Sequence, residues 1–579
     1  MLPSALAALA LLGPAATPAR PAAAQGPPHP GARIADLAPD PDLDDAAAAA
    51  PPGAAVAALA AGTVRVSGTI RSLQTGAGIY GKLIPWDEAT GAVAGLVYST
   101  SAGVWSADLP PGTYAFYVRS FGYLPVLLEH VVLAGPRTLD PVIDTLASRA
   151  TPAYLTGSAL ASPVVLADGR DATTFTLTSA RDLGPRVDLL NEFGHLAASG
   201  AARGTVPLFD DGTHGDEVAG DHVYTGDAVG YSGATPYWGG RAGYDYLLYI
   251  RVPDGTPPLV SIPDATLIAI DPAGATAPVE LPGGARCTPH AAAIVDDMSE
   301  PNFNWDQPAS RTFFRTFADV YDFLYLFPTC GMNDYAGLSG TAFNDVTGIG
   351  TSLHDNRWRY GSTRLLSCIL MRPGITMPLL HETMHHWGAA MDALFHTTAW
   401  GYHWGYAGVN GQLGGFDPAT LRDNGDGTWA VGYCAPYGFA ADDRPYGALE
   451  LYIAGLVDTL GELGDIPVLV NPAYQGAWSR IAADRLDHVS GADIVATYGP
   501  RVPAPAAAQH RFNAAFCWVG PRPVNAAAMS FLDLAARIFA GTLTVPMTHS
   551  FTTATRGVGA MDTRIRPRPG LHRRLATVH

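Results

Sequence analysis

Between Thr63 and about residue 275, short runs rich in Val, Ile, Thr and aromatics follow one another, each ended by Gly or Pro. VRVSGTIRS, GKLIPWD, GLVYST and VWSADLPPGTYAFYVRSFGYLPV make up the first group; VVLADGRDATTFTLT, RVDLLNEF and DYLLYIRVPD make up the second. Apolar side chains at every second position put one face of a pleated strand into a core, and Gly or Pro turns the chain back for the next strand. No helical period is sustained across these residues. Two all-β sandwich units are expected, at 63–148 and 149–280.

A chain of 579 residues is too long for one core, so further folded units are expected after these two. From about residue 285 the aromatics and histidines become dense, and all five cysteines lie there (Cys287, Cys330, Cys368, Cys434, Cys517). SRTFFRTFADVYDFLYLFP reads as a helix followed by a buried strand. STRLLSCILM reads as another strand, and ITMPLLHETMHHWGAAMDALF as a helix. A mixed α+β domain is expected over 285–579. The multidomain reading is completed by an apolar signal peptide at 1–24 and an Ala/Pro-rich leader at 25–62.

The formal net charge of −17, with Lys82 the only lysine, leaves no basic footprint for nucleic acid. No later stretch approaches the ~20 apolar residues that cross a bilayer, so stable membrane insertion is not expected. The expected location is outside the cytoplasm, extracellular or periplasmic, as a monomer, with one or two disulfides among the five cysteines.

The chemistry concentrates at His381-Glu-Thr-Met-His385. Imidazoles four residues apart share one face of a helix and can hold one zinc ion. Glu382, on the adjacent edge, can take a proton from water activated by the metal and return it to a leaving amine. A third ligand must come from elsewhere. His403, in the aromatic and Gly-rich loop Trp400-Gly-Tyr-His-Trp-Gly-Tyr, is one candidate; Glu450, on the short helix of LELYIAGL, is the other. Tyr402 and Tyr452 are candidate oxyanion donors, and Asp392 a candidate partner for a ligand imidazole. The stretch Asn344 to Gly350 is a candidate edge strand for pairing with an extended substrate.

These residues resemble the zincin class of metallopeptidases, and HETMHHWG followed by a His-Trp-Gly loop looks like a poorly characterised group of secreted bacterial proteins. The longer metzincin pattern stops at Gly388, because Met391 stands where its next histidine would be. LPPGTYAFYV resembles a strand of carboxypeptidase regulatory-like modules, and the second unit resembles an immunoglobulin-like sandwich. The resemblance implies a zincin-like catalytic domain: a secreted zinc metallopeptidase, hydrolysing protein or peptide substrates through metal-activated water with Glu382 as general base. The alternative is a secreted or surface adhesion protein whose catalytic domain is inactive.

A second cluster lies in Asp210-Asp-Gly-Thr-His-Gly-Asp-Glu-Val-Ala-Gly-Asp. Asp210, Asp211, Asp216 and Asp221 could surround Ca²⁺, which takes six to eight oxygens. The same residues also suit a long structural turn in which carboxylates bind backbone N–H groups.

Overall fold

The structure is a computed structural model. It describes residues 62–569 apart from short internal stretches, the longer of which are 90–93, 145–151, 192–195, 199–203, 233–243, 253–258, 271–274, 297–305, 330–336, 372–377, 439–443 and 545–548. The expected signal peptide, and the leader up to residue 61, lie outside the described residues. The chain is predominantly β.

In the first unit a three-stranded sheet (order Val104–Leu109, Val64–Thr69, Arg137–Thr138) accompanies a four-stranded one (Val97–Tyr98, Lys82–Asp87, Gly112–Arg119, Val126–Leu133). Strand Gly112–Arg119 shows the period of two directly: Tyr114, Phe116 and Val118 are buried, and they share a core with Val66, Leu83 and Trp105. Each such side chain contributes roughly 1.5–3 kcal/mol by leaving water.

The second unit is a nine-stranded sheet that wraps around Phe175, Leu177, Leu189, Tyr224, Ile250 and Leu267. It does not end at its own core. Val164, Ile268 and Ile270 belong to the buried cluster of the C-terminal half, beside Trp518 and Phe531. Asn525 fastens this junction: its side chain accepts the Ala528 N–H at the start of helix Ala526–Ala540, while its amide donates to the Val164 carbonyl at 3.0 Å.

An eight-stranded sheet underlies the C-terminal half. Ala292–Val295, Arg511–Gly520, Phe323–Pro328 and Ser367–Met371 run parallel, and Gly337–Thr341 closes one edge antiparallel. Phe323–Pro328 and Ser367–Met371 are buried along their whole length, as parallel strands covered on both faces must be, which is why they read as unbroken apolar runs. The expected α+β zincin-like domain is corrected here to a strand-dominated sheet with mostly short helices.

The helix expected across residues 375–395 illustrates the reason. Its first residues, 375–377, lie outside the described residues; the rest resolves into Leu379–Met384 and Asp392–Phe395. Between them Trp387 and Gly388 donate to the Met384 carbonyl, and Ala389 takes a left-handed φ of 59°. A side chain at Gly388 would stand 2.9 Å from Ile453, so the chain turns where it meets that neighbour.

The expected disulfides are also corrected. Cys287, Cys368, Cys434 and Cys517 are free and buried, while Cys330 lies outside the described residues. Cys287 and Cys517 both pair with Ala292, one on each side, and strand Phe323–Pro328 separates Cys368 from Cys517. Two strand spacings place such sulfurs' Cα atoms ~9–10 Å apart, beyond disulfide reach.

Candidate metal centre

Helix Leu379–Met384 lies against the two outer strands of the large sheet, Ser367–Met371 and Gly337–Thr341. Its position is fixed by two buried phenols: the Tyr446 hydroxyl donates to the Leu380 carbonyl at 2.9 Å, and the Tyr325 hydroxyl meets Thr383 Oγ1 at 2.6 Å. His381 and His385 therefore project one turn apart from an anchored backbone. After the short helix Thr397–Trp400, Gly401 and Tyr402 adopt left-handed φ of 66° and 65°, which turns the chain back and brings His403 to the same point.

His381, His385 and His403 converge through their Nε2 atoms, with His381 at 3.2 Å from His385 and 3.1 Å from His403. Three nitrogens bound to zinc at ~2.0–2.1 Å in a tetrahedron would lie ~3.3 Å apart. Tautomers sharpen the match. His381 Nδ1 sits 2.8 Å from the Gln412 carbonyl, and His403 Nδ1 sits 2.7 Å from the Trp400 carbonyl. A carbonyl only accepts, so each Nδ1 carries the proton and each Nε2 presents a lone pair. Two lone pairs face each other at 3.1 Å, an arrangement that a cation between them relieves. Burial favours neutral imidazoles at the pair on the helix: it pushes His381 down to about 4 and His385 well below the usual imidazole value. The donor set and its geometry fit a zinc ion.

Glu382 is buried on the neighbouring edge of the helix, and burial pushes its carboxyl up to about 8. It rests against the edge strand so closely that a Cβ on Gly337 would stand 2.6 Å from its Oε1. Only glycine admits this approach. His385 and His403 are half-buried, so the cluster is reachable from solvent.

Glu450, the alternative third ligand, has a different role. Its carboxylate accepts from Trp404 Nε1 (3.0 Å), Leu413 N (2.7 Å), Gln412 N (2.9 Å) and Gly447 N (3.0 Å). Four N–H donors saturate it away from the three histidines. Tyr452 accepts from the Arg501 N–H, and Asp392 accepts from the Thr398 N–H. Backbone carbonyls, not Asp392, take the protons of His381 and His403. Tyr402 is exposed beside His403. His386, one residue past the pair, points to the opposite side and meets Ser367 Oγ at 3.0 Å. The expected edge strand at Asn344 to Gly350 is corrected: only Phe343–Asn344 is strand there, and the buried Asn344 amide ties its own loop by donating to Val346, Thr351 and Ser352. Among the described residues, the edge strand beside Glu382 is Gly337–Thr341.

In the second cluster, ligand atoms of Asp210, Asp216 and Asp221 lie within 4.8 Å of one another. Asp211 stands outside it, bonded to Thr213. Asp210 accepts the N–H groups of Gly220, Asp221 and His222, and Asp216 accepts that of Gly212. These bonds are those of the structural turn.

No family model matches the chain, and no curated protein does. Solved structures align with parts of it. A Bacteroides uniformis protein described as carbohydrate binding is 14% identical over 34% of this chain and 98% of its own, with a TM-score of 0.13. A streptococcal ancillary pilin is 13% identical over 37% of this chain and 63% of its own, at 0.12. A type II cohesin–X-dockerin complex from Acetivibrio cellulolyticus is 16% identical over 14% of this chain and 58% of its own, at 0.12. The chain thus spans less than two thirds of the pilin and of the cohesin complex chain. The expected membership of a zincin group with carboxypeptidase regulatory-like and immunoglobulin-like modules is corrected: the structures that align with parts of the chain are β-sandwich proteins, not zincin peptidases.

Sequence reasoning missed the residues that hold the ligands. The Gln412 and Trp400 carbonyls act through backbone and leave no side-chain signature. Gly337, Gly411 and Gly438 act by having no side chain, and of these only Gly411 carried a signal, in the dense glycines of GVNGQLGG.

Proposed function

We propose that the chain is a zinc-dependent hydrolase of peptide bonds, with His381, His385 and His403 as ligands and Glu382 as general base. The observation that carries this reading is the facing lone pairs of His381 and His403, each fixed by a carbonyl behind it. Zinc, when bound, supplies Lewis-acid activation of water and of the scissile carbonyl. Glu382 would act as a carboxylate, since a cation held by the three imidazoles offsets the burial that otherwise keeps it protonated, and in that form it receives the proton of the attacking water and passes it to the leaving amine. Among the described residues Gly337–Thr341 is the last strand of the sheet, next to Glu382, and an extended peptide would add to it there.

The test is proteolysis of an unfolded substrate by the parent and by Glu382→Gln, with zinc measured in both. About one zinc in each, and a ~10²–10⁴-fold loss of turnover in the variant, are expected. Equal turnover would remove Glu382 from the mechanism.

A second reading is a secreted or surface binding protein whose C-terminal half is inactive. It is supported by the β-sheet units that occupy residues 64–270, and by the carbohydrate-binding and pilin descriptions of the aligned structures. Zinc uptake with no turnover on peptides or small esters would favour it.

A further inference from the structure

Glu450 receives four N–H groups: that of Gly447 at the start of its own helix, and three that come from both ends of one loop. Trp404 directly follows the ligand His403, and Gln412 and Leu413 close the loop. The Gln412 carbonyl is the group that orients His381. One buried carboxylate thereby connects the backing of His381 with the residue that follows His403. Gly411 lets it approach: a Cβ there would stand 2.2 Å from Glu450 Oε2.

We propose that Glu450 is a positioning residue of the histidine cluster, bracing residues 404–413 so that His381 and His403 meet at one point. The inference rests on the proposed metal site. An amide cannot substitute for the carboxylate, because its NH₂ would face N–H donors where an oxygen now accepts. Gly411→Ala disturbs the same brace by another route: it keeps the carboxylate and all four donors but drives a methyl group into Oε2. Gly411 has no left-handed φ, so alanine meets no backbone penalty there.

The experiment compares the parent, Glu450→Gln and Gly411→Ala. In the metal-free proteins, ¹⁵N NMR of the imidazoles reads the tautomer and order of each ring. His381 and His403 are expected to lose their single Nδ1–H form in both variants. His386, bonded to Ser367 on the opposite side, should stay unchanged and so separates positioning from general loosening. With Co²⁺, both variants should show an altered ligand-field spectrum and ~10–100-fold weaker binding. Unchanged His381 and His403 signals, or equal changes at His386, would overturn the proposal. If the parent takes up no metal, the metal reading falls, while the imidazole signals still decide whether Glu450 positions the rings.

Discussion

Gly438 touches the cluster at its tightest point, and replacing it by alanine gives a calculable disturbance. The new Cβ would stand 2.2 Å from His381 Cε1 and 2.7 Å from its Nδ1. Ordinary contact begins at 3.4 Å, so the ring must retreat by about 1.2 Å. Metal sites tolerate ~0.2 Å of ligand error, so a retreat of this size removes His381 from effective coordination. The Gln412 carbonyl cannot follow, because the adjacent N–H groups are tied to Glu450. Gly438 also has a φ of +84°, where alanine adds roughly 1–2 kcal/mol of backbone strain. Zinc affinity should fall at least ~100-fold, the upper end of what losing a supporting residue costs. Competition with a chromogenic chelator measures this, with circular dichroism verifying the fold. A folded Gly438→Ala protein that binds zinc within threefold of the parent would refute the reasoning.

Three further outcomes are expected. Cys287, Cys368, Cys434 and Cys517 should resist alkylation in the native protein and all react after unfolding without reductant; a disulfide between any two would appear as a protected pair. Asp562 has its carboxyl held down to about 2, chiefly by its hydrogen bond to Arg564. A depressed folded value stabilises above the ordinary carboxylate pKa of ~4 and is lost as pH falls towards 2, so Asp562→Asn should flatten the acid limb of a stability–pH profile in that window. Asp210→Ala strips the acceptor from three backbone N–H groups and should destabilise by ~1–3 kcal/mol, equally in calcium and in EDTA; a calcium-dependent difference would assign the cluster to a cation.

The strands of the first two units were readable because alternation survives wherever one face is buried, as Tyr114, Phe116 and Val118 illustrate. The pair His381 and His385 was readable because helix geometry alone joins them. His403 was harder, since two left-handed residues decide where it points. Glu450 misled for a physical reason: an isolated carboxylate near a histidine motif suits a ligand or a brace, and only the tertiary position of Trp404, Gln412 and Leu413 separates the two. The expected long helix failed because a contact with Ile453, 65 residues onward in the chain (388 to 453), decides where it stops. The expected disulfides failed for a similar reason, as strand order sets sulfur separation and sequence spacing does not report it.

X-ray absorption at the zinc edge of the reconstituted protein tests the central claim most directly. Three imidazole nitrogens at ~2.0–2.1 Å with an oxygen as fourth ligand are expected, falling to two nitrogens in His403→Ala. A shell containing sulfur, an oxygen-only shell, or an unchanged spectrum in that variant would contradict the assignment of His381, His385 and His403 as the metal centre.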